Sequence, residues 1–538
     1  MMHFSATQST FPGEAQESPA IIAKTLPGQM KCDTMLRVLL TLTPWLATQT
    51  VACPWCIPHV AVVSVGHRVR KVMPHVASPK APPSSADVVI KHEKKQDVPV
   101  KPARLLLRRE DAWRSVAAIP PDLDLASDDI SDARLEQKQT DAAGMEWTIE
   151  APITFSYRVR EEPDILDPSS DALIFGHLAG DDTALARAKA RQPKRVVVVD
   201  EQVAELYGDR IEEYFAHHNV LTKLLVLPTT EENKDMDMVL TIAEAIHELG
   251  IDRRLDPVIA IGGGVCMDIV GFAASIYRRR TPYIRVPTTL MGYVDASIGA
   301  KTGVNFSGKK NKLGAYLPPA LTLLDKSFLA TLDQRQLSNG AAEIAKMALV
   351  KDPELFRLLC DHGEELISNC FQDTPQPDGS QSSAASRVLF LSVQTMLEEL
   401  APNLWEDSLE RLVDFGHVFS MEIEMKALFD EKLFHGEAVA IDMAFSACLA
   451  RVRGHISDPI LDDILGMLLG LQLPVYHPDF DEALVNEAMY ERVKFSSGQK
   501  IPLPVGAGVA RIFNDISKKE LLLALQLWQS RCKDVTEA

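Results

Sequence analysis

Two groups of residues in this chain have the types and spacing to do chemistry. The first is Ile259-Ala-Ile-Gly-Gly-Gly-Val-Cys-Met-Asp268, which runs on to Arg285-Val-Pro-Thr-Thr289 and Asp295-Ala-Ser-Ile-Gly-Ala-Lys301. Val258 to Ile261 is an apolar, partly β-branched run, too short for a helix and suited to a central strand. Three glycines follow, and Val265 to Tyr277 then has helical apolar spacing. The segment therefore reads as strand, glycine turn and helix, with two charge-bearing turns beyond. Glycines at such a junction let backbone N–H groups approach a pyrophosphate at the positive end of a helix. A tight structural turn uses the same residues. Asp268 is placed in the first helical turn, where it could hold a ribose or nicotinamide edge. Thr302-Gly-Val-Asn305 and Lys309-Lys-Asn-Lys312 add amide and ammonium donors to a chain of formal net charge −18. That cluster suits a bound anion such as a phosphate ester, or is a solvated basic loop.

The second group lies further along. Asn339-Gly-Ala-Ala-Glu-Ile-Ala-Lys346 sets Glu343 and Lys346 three apart, on one face of a helix. His417 follows Gly416, and His435 opens His435-Gly-Glu-Ala-Val-Ala-Ile-Asp442. One carboxylate and two imidazoles make a three-ligand set of the catalytic kind, which leaves zinc an open position. Spacing alone does not separate that set from hydrogen-bonded core histidines, because ligands so far apart follow no fixed pattern.

These groups need elements to position them. Arg195-Val-Val-Val-Val-Asp200 and Leu224-Leu-Val-Leu-Pro228 read as short buried strands, with helical stretches at Val203 to His217 and Met236 to Leu249. Such alternation means a parallel sheet faced by helices, a dinucleotide-binding arrangement. After Leu329 strand signals nearly vanish, and Leu337 to Val350, Ala385 to Leu400, His435 to Arg453 and Lys518 to Gln529 have helical spacing. The expected architecture is an α/β nucleotide domain over residues 146–328 and an all-helical domain over 329–538. The active site then falls in the cleft between them. Residues 1–145 are expected to be a disordered or targeting extension.

Longer motifs carry a resemblance. The segment from Gly262 to Tyr316 is similar to the sugar phosphate cyclases, the superfamily of 3-dehydroquinate synthase, and most like the 2-epi-5-epi-valiolone synthases. Trp147-Thr-Ile-Glu-Ala-Pro-Ile-Thr-Phe-Ser-Tyr-Arg158, Pro228-Thr-Thr-Glu-Glu-Asn-Lys234, Glu399-Leu-Ala-Pro-Asn-Leu-Trp-Glu406 and Asp414-Phe-Gly-His417 match that subgroup, and the likeness spans about residues 147–515. It implies that Glu343, His417 and His435 hold Zn²⁺ or Co²⁺. It implies that Asp200, Glu231, Lys234, Gly263, Gly264, Asp268, Thr288, Thr289 and Asp295 bind NAD, with Lys301 and Lys310 nearby. Lys301, Asn305, Lys310, Asn311 and Lys346 match positions lining the substrate and its phosphate. Arg279 matches an arginine that reaches the phosphate of a neighbouring subunit, so a homodimer is expected. The implied reaction takes sedoheptulose 7-phosphate through transient oxidation by NAD, phosphate elimination, re-reduction and intramolecular aldol closure.

Asp414 and Met421 stand where dehydroquinate synthases carry Asn and a second His, and Asn305 stands where they carry Asp. Desmethyl-4-deoxygadusol synthases carry Ala at the position of Asp414. The pattern favours the valiolone branch, although that branch usually has Pro at Met421 and His at Phe495. Asp414, three residues before His417, is expected to face the metal-bound sugar. A plain NAD-dependent polyol dehydrogenase would share the glycine turn and metal site, and net NADH formation separates the two.

Composition excludes other classes. The acidic balance argues against nucleic-acid binding, and Cys266, Cys360, Cys370, Cys448 and Cys532, scattered singly, argue against a disulfide framework. Cys53-Pro-Trp-Cys56 is a lone pair without a partner pair. Met35-Leu-Arg-Val-Leu-Leu-Thr-Leu-Thr-Pro-Trp-Leu-Ala47 is signal-like, and the basic stretch from Val62 to Arg109 is transit-like. A cytoplasmic protein is expected, with a plastid address in residues 1–140 as the alternative. Pro44, Pro54 and Pro58 oppose a membrane span there.

Overall fold

The structure, a computed structural model, describes residues 106–109, 112–115, 134–139, 145–151, 154–375, 381–427, 433–496 and 498–536. The chain divides into units 1–123 and 124–538. In the first unit Leu106–Arg109 pairs with Ala112–Ser115 as an antiparallel hairpin. The Cys53–Cys56 pair, the signal-like stretch and most of the transit-like stretch lie outside the described residues. In the second unit an antiparallel hairpin, Arg134–Gln139 with Met145–Glu150, precedes the nucleotide half. Among the described residues no helix is long and apolar enough to cross a membrane.

The nucleotide half is a six-stranded parallel sheet. Its strands are β1 (Arg158–Glu161), β2 (Lys194–Asp200), β3 (Leu221–Leu227), β4 (Val258–Gly262), β5 (Tyr283–Pro287) and, after the antiparallel hairpin β6 (Lys301–Phe306) and β7 (Lys309–Tyr316), β8 (Leu321–Leu324). Their order is β1-β8-β5-β4-β2-β3. Alternation along β2 sends Val197 and Val199 to one face, against Ile211, Tyr214 and Phe215 of α1 (Glu201–His217). Val196 and Val198 go to the other face, against α2 (Met236–Leu249) and α3 (Gly264–Ile276). The chain runs outward from β2 to β3 and then returns past it to β4. The carboxyl ends of β2 and β4 therefore form the switch point where such sheets bind ligands.

The turn expected at Arg285–Thr289 is mostly the central strand β5, fully buried. A lone arginine broke the apolar run and hid the strand. The basic segment around Lys309 is likewise a hairpin and not a loop.

The second half is helical: α4 (Gln334–Val350), α5 (Pro353–Ser368), α6 (Ala384–Leu400), α7 (Ser420–Ala427), α8 (His435–Val452), α9 (Asp458–Gly470), α10 (Glu482–Ser496) and α11 (Lys518–Thr536). Gly436 to Ala450 of α8 is buried without interruption, as is nearly all of α4, so these two helices form the centre of the bundle. The region is not wholly helical. β9 (Ile501–Gly506) and β10 (Val509–Phe513) pair as a hairpin, which Pro502 and Pro504 obscure in the sequence.

Candidate active site

The helical half brings Glu343, His417 and His435 together, with one ligand atom from each within 4.8 Å of the others. His417 Nε2 lies 3.6 Å and His435 Nε2 3.5 Å from Glu343 Oε1. Two glycines permit this. Gly416, at φ +75°, turns the chain into His417, and a Cβ there would meet Val439 at 2.9 Å. A Cβ on Gly436 would stand 2.0 Å from the Asn339 carbonyl, so only glycine lets α8 start against α4.

Glu343 is buried, and neither carboxylate oxygen has a hydrogen bond of acceptable geometry, although the Lys346 ammonium touches Oε2. Free lone pairs on a buried carboxylate beside two imidazoles fit a metal ion. The outer ring nitrogens agree. His417 Nδ1 lies 3.0 Å from the Phe415 carbonyl, which can only accept, so the Nε2 lone pair is left for the metal. His435 Nδ1 lies 3.4 Å from Glu424 Oε2, a carboxylate–histidine arrangement typical of metal sites. Nothing in the sequence pattern singled out Glu424. Asp442, on α8, accepts from Phe419 N at 2.6 Å and Ser420 N at 3.0 Å, tying the chain after His417 to the helix of His435.

The electrostatics follow from burial and these contacts. Burial opposes charge on Glu343, but Lys346 and the two imidazoles hold its carboxyl well below the usual range. Burial and then Lys346 push His417 down to about 4. Burial also works against His435, but the facing carboxylates of Glu343 and Glu424 overcome it and raise the ring to about 10. A metal ion would replace that proton. Asp295, in the π-turn Gly292–Ala296, is raised by burial and by Glu343. Burial disfavours the Lys346 ammonium, which Glu343 and Asp295 outweigh.

At the switch point Asp200 ends β2 and caps α1, accepting from Gln202 N at 3.0 Å and from the Thr229 hydroxyl. Gly263 and Gly264 open α3, whose first turn has no side-chain cap. The Thr288 hydroxyl is buried without a hydrogen-bond partner, and Thr289 Oγ1 accepts from Gly292 N at 3.0 Å. An uncapped helix start and an orphaned hydroxyl at a switch point fit a dinucleotide. Asp268 is the fifth residue of α3, a turn later than expected, and pairs with Lys234 Nζ at 2.6 Å.

One network joins most of the remaining predicted residues. Lys234 Nζ also donates to Asn311 Oδ1 at 2.7 Å, Asn311 N to Asn305 Oδ1 at 2.9 Å, and Asn305 Nδ2 to Glu231 Oε1 at 2.8 Å. Lys310 Nζ lies 3.8 Å from Glu231 and 2.5 Å from Glu424, so the network crosses from β7 to the partner of His435. Lys301 contacts Glu406, a carboxylate shared with Arg411.

Asp414 is held by two arginines. Its Oδ1 accepts from Arg411 Nη2 at 2.6 Å and its Oδ2 from Arg492 Nη2 at 3.0 Å, so both oxygens already hold guanidinium groups. The carboxylate orients both arginines, and each of its oxygens keeps a further lone pair. Neither Glu406, Arg411 nor Arg492 was singled out in the sequence. Arg279 is exposed, at φ 68°, and among the described residues no hydrogen bond or ion pair joins it to these groups. Met421 is exposed on α7. The side chain of Phe495 lies outside the described residues.

Residues 224–339 match the 3-dehydroquinate synthase N-terminal family and residues 340–494 the 3-dehydroquinate synthase C-terminal family. The chain belongs to the 3-dehydroquinate synthase family of sugar phosphate cyclases. It is 47% identical over 378 residues to a 2-epi-5-epi-valiolone synthase of Actinomyces sp., covering 70% of this chain and 96% of the relative. A demethyl-4-deoxygadusol synthase of Trichormus variabilis is 36% identical over 343 residues, covering 63% and 82%. Among solved structures, the 2-epi-5-epi-valiolone synthase of Streptomyces hygroscopicus, with NAD⁺ and Zn²⁺ bound, matches at TM-score 0.63 and 46% identity. That match covers 72% of this chain and 100% of the other.

Proposed function

We propose that this cyclase converts sedoheptulose 7-phosphate to 2-epi-5-epi-valiolone, with Zn²⁺ or Co²⁺ on Glu343, His417 and His435 and NAD⁺ at the switch point. The observation that carries the reading is the buried, hydrogen-bond-free carboxylate of Glu343 facing two imidazoles whose outer nitrogens are already engaged. It stands in a chain 47% identical to a valiolone synthase. Bound together, the two groups supply reversible oxidation of a substrate alcohol and Lewis-acid stabilisation of its oxygens.

The chain's own residues bind and orient. Gly263, Gly264 and Thr288 give the dinucleotide backbone and hydroxyl donors, and Asp200, Glu231, Asp268 and Thr289 line the crevice. Lys310, Asn305 and Asn311 offer donors to the phosphate, with Lys310 exchanging Glu424 for the incoming anion. Lys301 presents a second ammonium. Lys346, between Glu343 and Asp295, is placed to move a proton at the reacting carbons. Arg279, exposed in the turn that follows α3, suits a phosphate in the neighbouring subunit of a homodimer.

The test is incubation of the full chain with NAD⁺, Zn²⁺ or Co²⁺ and sedoheptulose 7-phosphate. Phosphate release, a product of valiolone mass and no net NADH are expected. A gadusol-type product, or NADH accumulating on a polyol, would overturn the assignment.

A further inference from the structure

Arg285 is a positive charge within the sheet. It lies in β5 at 0% exposure, and among the described residues no ion pair joins it to an acidic side chain. Burying a charge without a counter-charge is unfavourable, so its hydrogen bonds matter. Nη1 donates to the Gly299 carbonyl at 2.6 Å and Nη2 to the Lys301 carbonyl at 2.9 Å. Neighbouring groups complete the pattern. Thr322, opposite Arg285 on β8, donates to the Ser297 carbonyl at 2.9 Å. The Tyr157 hydroxyl donates to the Ile298 carbonyl at 3.0 Å, and Leu317 N to the Ala300 carbonyl at 2.8 Å. Every carbonyl from Ser297 to Lys301 is thus held, in a stretch where a π-turn gives way to irregular backbone and no sheet ladder begins until β6.

That stretch connects Asp295 to Lys301. We propose that Arg285, assisted by Thr322 and Tyr157, is the positioning residue that fixes the Asp295–Lys301 segment from beneath the active site. Three side chains from the sheet side replace the ladder that the segment lacks before Lys301, and the planar guanidinium fork holds two carbonyls through two separate nitrogens in a fixed geometry. The catalytic consequence rests on the cyclase reading above; the conformational one does not.

The test compares Arg285→Gln, Arg285→Lys, Tyr157→Phe and Thr322→Val in the full chain loaded with Zn²⁺ and NAD⁺. In Arg285→Gln, kcat should fall by about tenfold to a hundredfold, the loss expected of roughly 1 Å misplacement. KM and zinc content should stay near wild type, and amides 295–301 should exchange hydrogen faster. Arg285→Lys should recover part of kcat, and the two near-isosteric variants should each lose a few-fold. A merely structural arginine would lower the melting temperature but leave kcat per folded molecule and exchange in 295–301 unchanged, and that result overturns the proposal. Should Arg285→Gln not fold, unchanged kcat and exchange in Tyr157→Phe and Thr322→Val overturn it equally. Should the wild type not turn over sedoheptulose 7-phosphate, the cyclase reading fails, and the exchange measurement alone decides the role of Arg285.

Discussion

At the carboxyl ends of β2 and β4 the chain offers mostly backbone: the uncapped start of α3, Gly263 and Gly264, and one orphaned hydroxyl at Thr288. In the helical half it offers side chains instead, with Glu343 from α4, His417 from a turn and His435 from the start of α8. The crevice presents mainly backbone groups at strand ends and a helix start. The candidate metal centre is made of distant residues, each held by a second residue. The two halves meet through Lys310, which lies near Glu231 on one side and Glu424 on the other.

The strongest way to break this contrast is at a ligand. Glu343→Gln or His417→Ala should lose the metal and lower turnover by about 10³-fold or more, while NAD⁺ affinity changes little. Metal analysis and a cofactor titration check this, and NAD⁺ binding lost together with the metal would show that the halves are not independent.

Asp442 gives a pH signature confined to the metal half. Burial raises its carboxyl to about 6, against an ordinary 3.8. Between those values the folded chain keeps a proton that the unfolded chain releases, so stability falls as pH rises through that window, by up to about 3 kcal/mol. Asp442→Asn can accept the same two backbone N–H groups and donate to Ser446, and should lack that slope in denaturation measured from pH 4 to 7. An identical pH profile in the variant would count against a raised Asp442.

Glu424→Gln sharpens the contrast further. It should weaken zinc binding by about 10- to 100-fold with the three ligands intact, as read by competition with a chelator. Asp414→Ala removes one partner each from Arg411 and Arg492 and should cost about 2 kcal/mol of stability, with zinc retained and the product mass unchanged. A shift to a gadusol-type product would instead support a direct contact between Asp414 and the sugar. The smallest effect belongs to the crevice: Thr288→Val should weaken NAD⁺ about fivefold, one hydrogen bond's worth, and leave the metal alone.

The parallel sheet, the glycine turn at its switch point and the helical second half could be read from periodicity, because strand and helix patterns are local. So could the shared face of Glu343 and Lys346, three apart on α4. The strand β5 could not, because Arg285 interrupts its apolar run and only the carbonyls of Gly299 and Lys301, folded over from later in the chain, explain a charge there. Pro502 and Pro504 hid β9 in the same way. The hold of Arg492, 78 residues on, upon the second oxygen of Asp414 likewise has no local signal. The sequence by itself determined which groups exist and which local element carries each. Glu424 against His435, Asp442 against the chain after His417, and Lys310 between two carboxylates were decided only by packing, because hydrogen bonds and charge act through space between residues whose separation along the chain has no period.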